Sequence, residues 1–248
     1  MNRSIMLPDV LAPALYLMPV PLGESPAQYW QVAHAHAMGS QIRHWVVETP
    51  KTARAIIGNT LMPSVPLRDM SLHAISADTT AEQLIEWLAP IQQGLPVGLM
   101  SDAGCPAVAD PGARLVRLAH DLGLPVRPWV GPSALLLALM ASGLDGQRFA
   151  FHGYAPSDRH ERAQTLREWE LASRQRHQTQ LFIETPYRNQ AMLEACLETL
   201  NPQTRLCVAC GLTTAQEWVQ SLPVQRWRER SSLPGPLQKV PAVFLFLA

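Results

Sequence analysis

The 248-residue chain is poor in the residues and repeats by which many functions declare themselves, and each shortage excludes something. Cysteine occurs four times, at positions 105, 196, 207 and 210, too seldom for a disulfide framework in a chain this long. Cys207 and Cys210 form a C-x-x-C, but the run Arg205-Leu-Cys-Val-Ala-Cys210 reads as a strand, where residues three apart point to opposite faces. Both are expected to be buried and inert, neither sharing a metal nor cycling as a redox pair. No Gly-x-Gly occurs anywhere, so the dinucleotide fingerprint and the glycine-rich loop of ordinary Rossmann enzymes are missing. A P-loop, a His-Glu-x-x-His and a Gly-x-Ser-x-Gly are absent as well. His34 and His36 stand two apart on an expected helix and face different ways, so no metal site is expected there.

Net charge is also lacking. Twenty Lys and Arg offset twenty Asp and Glu, so no global field draws the chain toward nucleic acid or an anionic membrane. Binding to RNA would need a local basic patch. The longest apolar run, residues 134–144, carries Ser142 and Gly143 and falls short of the ~18–20 residues of a spanning helix. Pro8 and Asp9 interrupt the N-terminus too early for a signal peptide. The expectation is a soluble, cytoplasmic protein with no membrane partner.

What is present is a globular composition, 47% hydrophobic and 16% charged, and enough length for one large or two small domains. Short β-rich apolar runs at 14–18, 43–47, 97–100 and 125–129 alternate with helical patterns at about 50–59, 79–93 and 112–122. The habit repeats with strands at 149–152, 179–183, 205–208 and 242–246 and helices near 132–142, 158–173 and 187–199. Such alternation predicts an α/β architecture with substantial parallel pairing. Gly131-Pro132-Ser133 opens a helix after the strand at 125–129, which sets the expected boundary between an N-terminal α/β domain, 1–130, and a C-terminal one, 131–248.

Proline is frequent, 22 residues, and many follow a strand: Pro19 and Pro21, Pro50, Pro106 and Pro111, Pro132, Pro186. Pro fixes its own φ and restricts its predecessor, so these read as rigid strand-to-helix corners. In open α/β sheets the corners at the carboxyl ends of strands are where ligands bind. The sharpest of them is Ser101-Asp-Ala-Gly-Cys-Pro-Ala-Val-Ala-Asp-Pro-Gly112. Gly104 there lets a ligand approach the backbone, and Asp110-Pro111 reads as the N-cap and first residue of the next helix.

That loop resembles the signature of the tetrapyrrole-methylase-fold methyltransferases, and within them the small-subunit ribosomal RNA cytidine 2′-O-methyltransferases. Other segments match in order: Tyr16-Leu-Met-Pro-Val-Pro-Leu-Gly23, Gly131-Pro-Ser-Ala134 with the Leu-rich helix after it, and Phe149-Ala-Phe-His-Gly-Tyr-Ala-Pro156. Leu181-Phe-Ile-Glu-Thr-Pro-Tyr-Arg188 and the Leu212-Thr213 to Glu217 region complete a likeness that spans nearly the whole chain. The resemblance implies two α/β domains of the tetrapyrrole methylase fold with a cofactor cleft between them. It also implies a homodimer, bound S-adenosylmethionine and transfer of its methyl group, with ribosomal RNA as the nearest-family acceptor; a small molecule such as a tetrapyrrole or a protein side chain stays open as acceptor. Carried over residue by residue, cofactor contacts would come from Pro21, Gly23, Ser101, Asp102, Ala103, Gly104, Val108, Pro132, Ser133, Glu184 and Thr185. Gly211, Leu212, Pro241 and Ala242 are further candidates.

The chain departs from the family where charge is concerned. Glu24 follows Gly23 in place of Asn, and Glu48-Thr-Pro-Lys51 stands for Glu-Asp-Thr-Arg. Cys210-Gly-Leu-Thr-Thr214 stands for Arg-Glu-Leu-Thr-Lys, and the short C-terminal extension of many members is expected to be missing. A ribose hydroxyl is a weak nucleophile and needs help losing its proton. With Thr214 in place of Lys, the remaining candidates are Glu48, Lys51 and Glu217, with Glu184 a further one. The lost charges also admit a second reading, a diverged S-adenosylmethionine-binding regulatory or interaction module without catalysis. For RNA, Arg226, Arg228 and Arg230 share one face if their stretch is a strand, with Trp227 on the other. Arg159, Arg162, Arg167, Arg174 and Arg176 are interleaved with Glu161, Glu168 and Glu170, the pattern of a solvated helix face.

Overall fold

The computed structural model describes residues 10–24, 38–61, 63, 65–230, 237 and 239–248, so His34 and His36 and the extreme N-terminus lie outside the described residues. The chain divides into two compact units, Met1–Pro21 with Pro26–Pro132, and Leu22–Ser25 with Ser133–Ala248.

The first unit is built on five strands: β1 (Leu15–Leu17), β2 (His44–Val47), β3 (Ser71–Ala74), β4 (Val97–Met100) and β5 (Val126–Pro128). They pair in the order β3-β2-β4-β1-β5, every neighbour parallel. Parallel neighbours need crossovers, which α1 (Pro50–Ile56, continued by a π-helical turn at Ile57–Leu61), α2 (Ala81–Gln92) and α3 (Ala113–Asp121) provide. Strand periodicity sorts the core: Tyr16, Trp45, Val47 and Met100 pack on one face with Ala53, Ile57 and Leu61. Leu15, Val46, Val97 and Leu99 pack on the other with Leu84, Trp87, Leu88, Ile91, Leu115 and Ala119. The helix α2 starts where it does because Thr80 and Gln83 form a reciprocal capping box, with N–H to oxygen distances of 3.3 and 2.9 Å. Its buried residues recur at helical spacing, so one stripe faces the sheet.

The second unit holds α4 (Ala134–Ser142), β6 (Phe149–Tyr154), α5 (Arg159–Arg176), β7 (Thr179–Glu184), α6 (Asn189–Thr199), β8 (Arg205–Cys210), β9 (Trp218–Pro223), α7 (Val224–Arg228) and β10 (Ala242–Leu247). Its sheet runs β6-β7-β10-β8-β9, with only β6 and β7 parallel. Phe182, Val208, Cys210, Phe244 and Phe246 face α5, α6 and α7, while Leu181, Cys207, Ala209, Val243 and Leu245 face α4.

Cys207 and Cys210 thus lie on opposite faces of β8, as residues three apart on a strand must. Burial pushes the thiols of Cys196, Cys207 and Cys210 up to about 12. In the native protein at pH 8, iodoacetamide is expected to leave these three unmodified while labelling half-buried Cys105 slowly, and to label all four in denaturant. Mass spectrometry of the intact chain reads this directly, and fast native labelling of Cys207 would contradict the buried strand.

Two sequence expectations fail here. Asp110 is not a helix N-cap: α3 begins at Ala113 with Gly112, φ 130°, as its cap residue. The loop needs those extra residues because Ala107 and Ala109 both take positive φ, turning the chain twice before the helix can start. Arg226, Arg228 and Arg230 do not share a strand face, since Val224–Arg228 is a helix following Pro223. Arg228 is spent on the carbonyl of Leu197, 2.8 Å from Nε, and on that of Leu200, and Arg230 lies over the Trp227 ring, 5.4 Å from its centroid. Strands β3 and β9 and helix α7 are additions that the sequence pattern did not reveal.

Candidate functional site

In the first unit the chain leaves β1 toward β2 on one side and leaves neighbouring β4 toward β5 on the other. Such a switch point opens a crevice at the carboxyl ends of the two strands, because their outgoing loops diverge. Four loops meet at this edge. Val20 and Gly104 exchange backbone hydrogen bonds of 2.9 and 3.1 Å, joining the loop after β1 to the loop after β4. The Asp102 N–H donates to Glu48 Oε2 at 3.0 Å, joining the loop after β2. The Cys105 thiol donates to the Pro132 carbonyl at 3.3 Å, joining the chain beyond β5. Gly131 sits so tightly on Pro19 that a Cβ built on it would lie 2.2 Å from the proline Cβ.

These contacts gather Glu48, Ser101, Asp102, Ala103, Gly104 and Pro132, with Pro21 one residue beyond the Val20 bridge. Val108, exposed, occupies the outer part of the same loop, between the positive-φ residues Ala107 and Ala109. Lys51 is exposed in the first turn of α1.

Asp110, which the sequence reading spent on a cap, belongs to this edge. Its carboxyl is half-buried and its pKa rises to about 6, first because burial penalises the charge and then because of the Glu48 and Asp102 carboxylates. The Ser101 hydroxyl lies beside it and offsets part of the rise. Ser101 is itself buried, its Oγ making no regular hydrogen bond among the described residues. The Asp110 charge in turn helps burial to raise the Cys105 thiol. Only the strand order β2-β4 brings Glu48 beside Asp102 and Asp110, so the sequence carried no signal for this group.

In the second unit three candidate segments meet at one sheet edge. Ala242 stands opposite both Glu184 and Cys210 across the antiparallel ladder, and the Gly211 N–H donates to the Pro241 carbonyl at 3.3 Å. Glu184 is wholly buried and paired with Arg188, 2.9 Å from Nε and 2.7 Å from Nη2, and it accepts the Thr185 N–H at 2.7 Å. Gly211 takes φ 56°, and a Cβ there would fall 2.9 Å from the Gln216 carbonyl oxygen. Thr213 takes φ 68°, a strained setting for a β-branched residue, and its buried hydroxyl makes no hydrogen bond among the described residues. Thr214, standing for the family Lys, uses its hydroxyl within the turn, on the Gly211 carbonyl at 2.6 Å and the Gln216 N–H at 3.1 Å. Glu217 accepts the Thr213 N–H at 2.7 Å. Gly23 packs on Thr214, Leu212 is buried, and Ser133 caps α4 through the Leu136 N–H at 3.5 Å.

No protein-family model matches the chain. Among curated proteins it is 30% identical over 213 residues to the ribosomal RNA small subunit methyltransferase I of Vibrio cholerae serotype O1, covering 86% of this chain and 69% of the relative. The likewise named protein of Mesorhizobium japonicum is 33% identical over 207 residues, 84% of this chain and 66% of its own length. That of Escherichia coli O157:H7 is 34% identical over 157 residues, so the chain spans about half, 52%, of that relative. Among solved structures the methyltransferase CobJ superposes with a TM-score of 0.59 at 17% identity, covering 94% of this chain and 93% of that one, which is a likeness of fold. With its two α/β units and a named relative matched over 69% of its length, the chain belongs to the ribosomal RNA small subunit methyltransferase I family, S-adenosylmethionine-dependent enzymes of the tetrapyrrole methylase fold.

Proposed function

We propose that this chain binds S-adenosylmethionine and methylates small-subunit ribosomal RNA, on a ribose 2′-oxygen of cytidine, as a cytoplasmic homodimer. The observation that carries the reading is the 213-residue match to the Vibrio cholerae relative. The chain's own residues fit the cofactor in a specific way. Ser101 Oγ, at a candidate cofactor position of the first unit, and Thr213 Oγ1, beside the candidate Leu212 in the second, are buried without regular partners among the described residues. Within each unit a hydrogen-bonding group of a ligand would satisfy such an atom, which is costly to leave bare. When bound, the cofactor supplies a methyl group made electrophilic by its sulfonium, so the difficult chemistry is the cofactor's.

The protein's work is then to bind and orient, and to receive a proton. The loop at 101–112, strained at Ala107 and Ala109, is proposed to offer main-chain groups for binding, while the backbone N–H groups of Gly104 and Gly211 are already engaged by Val20 and Pro241. Glu48, Lys51 and Glu217 are the proposed proton-handling residues. The two carboxylates each hold a backbone N–H on one oxygen, which fixes their orientation. Thr214 does not replace the family Lys in this work, because its hydroxyl is used inside its own turn. For RNA, exposed Arg167, Arg174 and Arg176 on α5 are the proposed phosphate contacts, since Arg159 is already paired with Glu198 at 3.1 Å. Among the described residues no helix is long and apolar enough to cross a membrane.

Calorimetric titration with S-adenosylmethionine and S-adenosylhomocysteine tests the binding, and transfer of a labelled methyl group to small-subunit RNA tests the reaction. Micromolar binding with RNA labelling is expected, and binding without any turnover would favour the non-catalytic module. Gly131→Ala, by prising the loop after β5 off Pro19, is expected to weaken cofactor binding about tenfold, since displacing a positioned loop by an ångström is commonly worth that much. Unchanged affinity in a folded Gly131→Ala protein would show that this corner does not shape the site.

A further inference from the structure

Two tyrosines at the carboxyl edge of the second unit's sheet have no work within the chain itself. Tyr187, in the loop after β7, is 94% exposed, more than any other large apolar residue described. Tyr154, the last residue of the parallel neighbour β6, is 56% exposed. Among the described residues neither hydroxyl has a hydrogen-bond partner and neither ring stacks on another. Their main chain, by contrast, is held firmly. Thr185-Pro186-Tyr187-Arg188 closes as a turn, the Arg188 N–H on the Thr185 carbonyl at 3.0 Å and Pro186 fixing the corner. Arg188 is ion-paired with buried Glu184, and its Nη2 also donates to the Ala155 carbonyl at 3.3 Å. The residue after Tyr187 thereby grips the residue after Tyr154, which keeps the two tyrosines neighbours. Gly153, φ 70°, lies in a bulge that shifts the register of β6 and sets Tyr154 opposite Ile183. Bulges of this kind re-aim a side chain where a site needs it.

One exposed ring needs no explanation, but two on a shared and braced support make a surface. The edge is also the one where Glu184, Cys210 and Ala242 meet. Charge is not what this surface offers. Arg188 is spent on Glu184, Arg159 on Glu198 at 3.1 Å and Arg162 on the Ser157 carbonyl at 3.0 Å. The arginines proposed above as phosphate contacts begin at Arg167, about 12 Å along α5 from its first residue. What remains is two flat, polarisable faces with a hydroxyl on each, the chemistry that recognises unpaired nucleic-acid bases. A base inside a duplex has its faces covered by its neighbours and cannot use them.

We propose that Tyr154 and Tyr187 form a stacking platform for unpaired bases of the RNA acceptor, at the second unit's candidate edge. The assignment rests on the RNA reading above and deepens it, because it makes the acceptor a single strand or an open loop and not a duplex. Stacking tolerates any base, so the platform holds the strand in place while other contacts choose the nucleotide. It also suits a chain with no net charge, since stacking needs no excess of cations.

The test uses the full chain, with binding read by fluorescence anisotropy on a labelled oligocytidylate and on the same strand paired with its complement. The single strand is expected to bind about tenfold more tightly than the duplex. Tyr154→Ala and Tyr187→Ala should each weaken single-strand binding about tenfold, within the range for losing one base–aromatic stack, and raise the KM for small-subunit RNA to match. Tyr154→Phe and Tyr187→Phe should stay within about twofold of the parent, because the ring face is kept. Both side chains are exposed, so the alanine variants should fold and keep their affinity for S-adenosylmethionine. The slope of RNA affinity against salt should be unchanged in them, since no phosphate contact is lost. Alanine variants that bind the single strand as the parent does would overturn the assignment. So would a parent that prefers the duplex, or one that ignores the single strand while still methylating small-subunit RNA. A loss of S-adenosylmethionine affinity in the alanine variants would overturn it too, by placing the rings against the cofactor. A parent that binds neither probe and transfers no methyl group to small-subunit RNA would overturn the RNA reading itself, and the platform with it.

Discussion

Gly98→Ala is expected to cost the protein about 2–3 kcal/mol of stability, the upper part of the range for forcing extra volume into a filled core. Gly98 lies in the middle of β4, buried, with Trp45 of β2 pressed onto its bare Cα. A Cβ there would fall 2.2 and 2.3 Å from two carbons of the indole ring. The ring cannot retreat cheaply, because it is wholly buried and its Nε1 donates to the Ile42 carbonyl at 3.1 Å. The cost would be read from urea unfolding curves. A control variant, Trp45→Leu, opens the space, so the added cost of Gly98→Ala in that background should shrink by half or more. Such non-additivity is the mark of two side chains competing for one volume. A Gly98→Ala protein as stable as the parent would mean that the sheet is not packed as described.

Arg188→Met is expected to destabilise by about 3 kcal/mol, in the range for leaving one partner of a buried ion pair uncompensated. Glu184 is fully shielded from solvent, and the Arg188 guanidinium is the one cation in salt-bridge contact with it among the described residues. Arg188 Nε donates to Glu184 Oε1 at 2.9 Å, and Nη2 lies 2.7 Å from Oε2 as an ion-pair contact. Adding Glu184→Gln to Arg188→Met should recover most of the loss. The amide oxygen can still accept the Thr185 N–H, while no charge is left buried. If the double variant is no more stable than Arg188→Met alone, the loss comes from packing and not from charge. The same pair bears on function, because Glu184 and Thr185 are candidate cofactor positions. The proposal for Glu184 is therefore that it fixes the main chain at the end of β7 and presents the ligand with backbone groups.

Much of the architecture was legible in advance, and for a plain reason. Hydrophobic period and turn chemistry are local, so eight strands and six helices could be placed from residues near each other in the chain. Short or marginal elements were not. Ser71–Ala74 is a four-residue edge strand with Ser and His in it, and Trp218–Pro223 becomes a strand because β8 lies alongside to pair with it. Arg226 and Arg228 went to a helix because Pro223 sets a helical start and Trp227 needs a buried seat with its Nε1 on the Leu206 carbonyl, 3.0 Å away.

The candidate site divides along the same line. Its loops were found from Pro and Gly after strands, because those residues restrict φ wherever they stand. What the loops do with one another was invisible. Glu48, Asp102 and Asp110 are scattered over more than sixty residues of sequence, and only the order β2-β4-β1-β5 makes their loops neighbours. Asp110 was misread because an Asp before a Pro satisfies the local rule for a cap, whereas the positive φ at Ala107 and Ala109 postpones the helix to Ala113. The sequence by itself determined the α/β class, the run of elements and the family likeness, all of which depend on residues close together or on ordered motifs. Tertiary structure alone decided which carboxylates share a desolvated edge and so repel one another. Electrostatic energy depends on distance through space and on burial, and neither is written along the chain.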